Sequence, residues 1–168
     1  MTVGWPYRWE TEMSELSALY DKDFSAWASW NAELLKKGRF SELDIDHLVA
    51  ELLGMGASER NELESRLVIL LAHLLKWQYQ YRHLSEQWRE FKGDSWRSTL
   101  IEQRSRITKR LNQSPSLKAK LAEIILEAYQ DAVEIAAKET GFPVETFPEE
   151  CPYAWEQIIS DEFYPEEK

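Results

Sequence analysis

Residues 67–81 read Leu-Val-Ile-Leu-Leu-Ala-His-Leu-Leu-Lys-Trp-Gln-Tyr-Gln-Tyr, and this stretch decides the fold. Its apolar side chains recur at steps of four and three residues, which is the spacing of one face of an α-helix. The same steps continue beyond the stretch and give one long face: Leu63, Leu67, Leu70, Leu74, Trp77 and Tyr81. Because the middle of the stretch is apolar nearly all round, we expect this helix to be covered on several sides as the centre of a bundle.

Start and stop signals predict two helices before the central one. Asp23 is expected to cap a helix that stops at Gly38, and Asp44 is expected to cap the next. The second helix is predicted to pack through a run of apolar side chains: Leu48, Val49, Leu52 and Leu53. Gly54 and Gly56 are expected to end or kink it, because glycine is a poor helix former. The central helix would then start after them.

Two more helices are predicted after the central one. A linker at 83–93 precedes a helix capped by Asp94 or Ser95, and that helix is expected to direct its arginines mostly outward: Arg97, Arg104, Arg106 and Arg110. Ser114 before a proline predicts the start of the best-bounded helix, and Gly141 predicts its end. Beyond it, closely spaced prolines predict an extended segment with a short helix at 152–160.

The predicted fold class is therefore all-α, a single-domain helical bundle of five or six helices with an extended Pro-rich C-terminal strap and a short terminal helix. The chain has 168 residues, which is the size of one domain. Within that domain we expect an aromatic N-terminal extension at 1–19, the helical bundle at 20–140 and the acidic C-terminal strap at 141–168.

Charge is unevenly distributed along the chain. The net charge is −10, which argues against a general affinity for nucleic acid. Residues 58–112 nevertheless carry eleven basic and seven acidic side chains, whereas residues 139–168 carry one basic and nine acidic ones. We expect the basic middle and the acidic end to attract each other, although an uncovered basic face could also bind a polyanion.

Composition also bears on location and partners. The first nine residues lack the pattern of a secretory signal, and no apolar run approaches the roughly 20 residues of a membrane span. Cys151 is the single cysteine and fits a reducing compartment. We therefore predict a cytoplasmic protein with no membrane partner and no cofactor.

His73 is the ionisable group inside the central apolar stretch, and it has two interpretations. It is either a core histidine with its hydrogen bonds satisfied or a general base or ligand in a pocket. A second group of residues, at the far end of the stretch and on the following helix, is a better place to expect a binding surface: Lys76, Trp77, Tyr79, Trp96, Arg97 and Arg104.

Two sets of acidic residues resemble parts of a helical-bundle metal site. The first is Asp44, His47 and Glu51, and the second is Glu123, Glu127 and Asp131. Because neither set is complete, we predict no metal site and interpret the second as ion pairs with Arg97 or Arg104. No catalytic set is readable, so no catalytic residue is predicted.

These observations favour a noncatalytic protein-interaction module, with an unknown protein partner or self-association. A nucleic-acid-associated protein that uses the basic helix at 97–110 is the first alternative. A small hydrolase or metal-binding bundle centred on His73 is the second. An enzyme is the less favoured class, because no catalytic set is complete.

Several motifs in a fixed order resemble those of one bacterial family. They are His-Leu-Leu-Lys-Trp-Gln-Tyr-Gln at 73–80, Ser-Trp-Arg at 95–97, Glu-Gln-Arg at 102–104, Ser-Pro-Ser-Leu at 114–117, and Glu-Thr-Gly-Phe-Pro with Thr-Phe-Pro-Glu-Glu-Cys-Pro-Tyr within 139–153. The chain resembles the domain of unknown function 29 family from about Tyr20 to Pro165. The resemblance implies a compact helical bacterial protein of a kind abundant in cyanobacteria, and it implies no activity.

Overall fold

The computed structural model describes the backbone of residues 8–88 and 92–166, with side chains from Glu15 onward. Within these ranges the chain forms six α-helices and no strand, which confirms the all-α fold class. The helices are α1 (Arg8–Lys22), α2 (Phe24–Lys36), α3 (Ile45–Gln87), α4 (Asp94–Gln113), α5 (Leu121–Thr140) and α6 (Trp155–Ile159). None of them is both long enough and apolar enough to cross a membrane.

Contacts within the chain divide it into two compact units, one up to Gly56 and one from Ala57. Helix α3 contributes its first residues to the first unit and the rest to the second. Chain length led us to expect a single domain, and that expectation remains a prediction.

The first unit contains α1, α2 and the start of α3 around a small core. Its buried apolar side chains are Leu16, Trp27, Leu34 and Leu43. The Asp23 carboxylate accepts a hydrogen bond from the Ala26 N–H at 3.0 Å, which confirms the predicted cap of α2. Gly38 follows the end of α2 with a φ of 70°. Residues 8–19 of the predicted N-terminal extension lie in α1, which the sequence did not indicate, and residues 1–7 lie outside the described ranges.

Gly54 and Gly56 were expected to end or kink a helix, and the prediction of an end is wrong, because α3 continues through both. Two helical glycines cost about 2 kcal/mol relative to alanine, and the packed residues elsewhere in this 43-residue helix offset that cost. The predicted packing face is also wrong. Leu48 packs on the first core, but the neighbouring apolar side chains lie mostly in solvent: Val49, Leu52 and Leu53. Since α3 extends to Gln87, residues 83–87 of the predicted linker at 83–93 are helical as well.

In the second unit, the apolar stretch at 67–81 lies in the core, as the sequence predicted. Seven side chains of α3 are fully enclosed or nearly so: Leu63, Leu67, Leu70, Leu71, Ala72, Leu74 and Leu75. Helices α4 and α5 and the C-terminal strap pack around them. The predicted start at Ser114 is a short 3₁₀ helix, Pro115–Lys120, that leads into α5, and Gly141 ends α5 with a φ of 75°. The predicted terminal helix at 152–160 forms over the shorter range of α6.

Candidate functional site

Arg104 was expected to point outward, and the structure corrects this. Its side chain is only 1% exposed. Its Nε donates a hydrogen bond to the Ile158 carbonyl at 3.0 Å, and its Nη2 donates to the Phe163 carbonyl at 2.8 Å. Burial lowers the pKa of Arg104, while Tyr164 and Asp161 act in the opposite direction. Arg104 therefore binds the C-terminal strap to α4 and is not available to a ligand.

Trp77 and Arg97 do come together as predicted, but their partners are within the chain. The Trp77 ring stacks on Tyr81 with 4.6 Å between ring centres, and it lies 4.7 Å from the ring centre of Tyr164. The Arg97 guanidinium carbon lies 5.8 Å from the Trp77 ring centre and 5.4 Å from that of Tyr164. Gly93 comes close to this stack, since a Cβ there would lie 2.8 Å from the Tyr81 ring. Cation–π contacts and stacking thus hold the strap against α3 and α4.

The other predicted binding residues are also engaged. Lys76 is buried, its Nζ lies 2.5 Å from a Glu139 carboxylate oxygen, and it lies 4.9 Å above the Trp96 ring. The Tyr79 ring meets Phe147 edge-on with 5.3 Å between ring centres. The strap therefore packs against this end of the bundle. In the described structure, Arg97 is the one exposed residue of the group that was expected to form a binding surface.

His73 has a single hydrogen-bond partner in the described structure. Its Nδ1–H donates to the Ile69 carbonyl at 2.8 Å. Burial lowers the pKa of His73, Lys76 lowers it further and Glu139 raises it. No described carboxylate or hydroxyl is hydrogen-bonded to the imidazole, so this environment fits the core histidine better than the general base.

The two acidic sets bind other side chains. Asp44 accepts hydrogen bonds from His47 Nδ1 at 2.8 Å and Trp27 Nε1 at 3.0 Å, and Glu51 accepts one from the Tyr20 hydroxyl. Arg60 bridges the second set, at 3.4 Å from Glu123 and 2.5 Å from Glu127. The predicted pairing of that set with Arg97 or Arg104 is therefore wrong. In the described parts of the chain, no three His, Cys, Asp or Glu side chains are arranged to hold a metal ion.

A groove between α5 and the start of the strap was not predicted. Its volume is about 640 Å³, and α5 forms one bank while residues 144–149 form the other. Apolar side chains form much of its lining: Tyr129, Val133, Val144, Phe147 and Pro148. The two banks are joined where the Tyr129 hydroxyl donates to the Pro148 carbonyl at 2.8 Å. The groove is thus built on buried residues that other contacts hold in place.

Three carboxylates line the same groove: Glu134 on α5, and Glu145 and Glu149 on the strap. Glu134 forms an exposed ion pair with Lys138 at 3.7 Å. No described cation lies within ion-pair distance of Glu145 or Glu149. The groove therefore combines an apolar floor with negative charge that the described structure only partly compensates. The sequence shows that the strap carries apolar and acidic residues, and both kinds line the groove. It does not show that these residues pack beside α5.

A family model described as "Domain of unknown function DUF29" matches residues 19–164. The chain belongs to the DUF29 family. The match covers most of both units, and it includes α5 and residues 144–149 of the strap, which form the groove. Comparison with curated proteins and with solved structures gives no significant match.

Proposed function

We propose that this DUF29 protein is a noncatalytic protein-interaction module whose groove binds a short basic segment of a partner protein. The segment would carry at least one aliphatic side chain between or beside Lys or Arg. The observation that carries the proposal is the groove itself, in which an apolar floor lies among three carboxylates.

The apolar part of the groove supplies a place for the aliphatic side chain. Val133 and Phe147 are buried, whereas Val144 is 50% exposed and would lose solvent contact when a ligand binds. Transfer of an aliphatic side chain out of water stabilises a complex by about 1.5–3 kcal/mol when burial is complete. Half-buried contacts supply only part of this, so aliphatic contact alone would give weak binding.

The carboxylates would make the groove selective for positively charged peptides. Glu145 and Glu149 lie on one bank, and Glu134 faces them from the other. Peptides with acidic side chains would be repelled by this arrangement, while Lys or Arg would be attracted. From Gln130 to Glu134, α5 rises by about 6 Å, which matches roughly two residues of an extended peptide. The groove therefore suits a short motif, and we expect affinity in the micromolar to millimolar range.

The test is a titration of the full chain with a labelled peptide of alternating lysine and leucine, followed by fluorescence anisotropy. A matched peptide with glutamate in place of lysine tests charge selection. In the protein, Glu145→Gln with Glu149→Gln removes two groove charges, and we expect about tenfold weaker binding. The control, Glu156→Gln with Glu162→Gln, removes two exposed charges of the same strap that do not line the groove.

The two double variants separate a specific groove from general attraction to an acidic protein. Equal weakening in both would refute the groove as the binding site, because the net charge changes by the same amount. No saturable binding of the basic peptide to the unmodified chain would refute the proposed function.

The geometry weakens the two alternatives from the sequence. A nucleic-acid role through residues 97–110 loses Arg104, which is buried, and Arg97 stacks on Trp77 and Tyr164. A hydrolase centred on His73 has no described nucleophile or carboxylate hydrogen-bonded to the imidazole. A cytoplasmic location and a bacterial source stay predictions of the sequence.

A further inference from the structure

We infer that a small cleft between α3 and α4 binds a single phosphate-type oxyanion, at a site separate from the groove. The cleft has a volume of about 140 Å³. Six side chains of the described residues line it: Glu62, Arg66, Arg106, Lys109, Arg110 and Gln113. Five of the six carry N–H donors, and four of those five are cationic.

The donors in the cleft outnumber the acceptors. Glu62 is the one carboxylate among the described residues of the lining, and it already accepts hydrogen bonds from Arg66 at 3.0 and 2.7 Å and a further one from Arg110. The Arg110 Nε is buried and has no hydrogen-bond partner in the described structure. The Arg110 Nε is enclosed by protein, whereas Arg106 and Lys109 are exposed, and a tetrahedral oxyanion presents several acceptor oxygens to their N–H donors.

Charge also favours an anion over a cation at this position. Arg106 pairs with Glu102 at 2.8 Å, and Arg110 lies 3.7 Å from Glu59. Lys109 has no ion pair in the described structure. When these neighbouring carboxylates are included, four cations face three acidic groups. The local excess of positive charge is small, so we expect millimolar binding of a phosphate dianion, and weaker binding at high salt.

The size of the cleft and the charge of the chain favour a small ligand over a nucleic acid. About 140 Å³ admits one phosphate-sized group, since a water molecule occupies about 30 Å³ in the liquid. The net charge of −10 repels a polyanion at longer range. A free phosphate and a phosphate carried on a nucleic acid have the same local chemistry, so the experiment must separate them.

The test is a titration of the full chain with inorganic phosphate and then pyrophosphate at constant ionic strength. The readout is the change in the NMR signals of the Arg106 and Arg110 Nε–H groups, since both side chains line the cleft. We expect a saturable shift, and at least about tenfold weaker binding when Arg106→Gln and Lys109→Gln are combined. Lys118→Gln with Lys120→Gln is the control, because it removes two exposed cations outside the cleft.

Three results would overturn the inference. The first is a linear, unsaturated shift with phosphate and pyrophosphate, and the second is equal weakening in the two double variants. The third is tighter binding of a single-stranded oligonucleotide than of pyrophosphate, with a steep salt dependence, which would indicate a polyanion surface instead. Because basic peptides should not compete with phosphate, failure here leaves the groove proposal intact.

Discussion

Replacement of Arg104 by methionine tests how the C-terminal strap is held. The substitution keeps a long aliphatic side chain and removes the guanidinium that donates to the Ile158 and Phe163 carbonyls. Each hydrogen bond from a charged donor contributes about 1.5–3 kcal/mol. Methionine also removes the desolvation cost of a buried charge that no described carboxylate pairs with, which offsets part of the loss. We expect the free energy of unfolding to fall by about 2–4 kcal/mol.

The assay is urea-induced unfolding of the full chain, followed by tryptophan fluorescence, together with limited proteolysis of the strap. Arg106→Met is the matched control on the same helix, since Arg106 is exposed and pairs with Glu102 one turn away. An exposed pair of this kind contributes about 0.3–0.5 kcal/mol. If the two variants lose the same stability, or if Arg104→Met is more stable than the original chain, the assigned role of Arg104 is wrong.

Three further predictions concern other contacts. The pKa of His73 is lowered in the fold, so the unfolded chain binds the proton more tightly than the folded chain does. The contribution of His73 to the free energy of unfolding should therefore be complete above about pH 6.5 and fall below it. His73→Gln should flatten that slope in urea unfolding measured from pH 5 to 8, and an unchanged slope would exclude His73 as its source. Gly93→Ala should lower the free energy of unfolding by at least about 1 kcal/mol more than Gly141→Ala does, measured by thermal unfolding. Both glycines have a positive φ, but of the two only Gly93 lies against an aromatic ring. Equal losses of stability would argue against that contact. Tyr153→Phe should cost about 1–2 kcal/mol, because its hydroxyl donates to the Gln78 side-chain oxygen at 2.7 Å in the core; an effect near zero would contradict that bond.

The features that sequence reasoning predicted well depend on neighbouring residues. The Asp23 cap and the end at Gly141 follow from backbone chemistry within a few positions, and the structure confirms both. The start at Ser114 is confirmed only in part, because a 3₁₀ helix without a side-chain cap follows Ser114 and α5 begins at Leu121. The central stretch at 67–81 was also predictable, because its periodicity leaves few other ways to bury so many apolar side chains.

The features that it missed depend on distant parts of the chain. Arg104 looks like a surface residue in its helix, and it becomes buried only because the carbonyls of Ile158 and Phe163 lie more than fifty positions away. Helix breaking at Gly54 was expected from intrinsic propensity, which a 43-residue helix with many packed residues overrides. The groove combines α5 with residues 144–149, and no local pattern gives the distance between them.

The central claim is that the groove binds a basic segment, and a ¹⁵N–¹H NMR titration of the full chain with the lysine–leucine peptide tests it most directly. We predict saturable shifts concentrated at residues 129–134 and 144–149, with little change at residues 97–110. Shifts spread evenly over the acidic surface, or concentrated away from both banks of the groove, would contradict the claim.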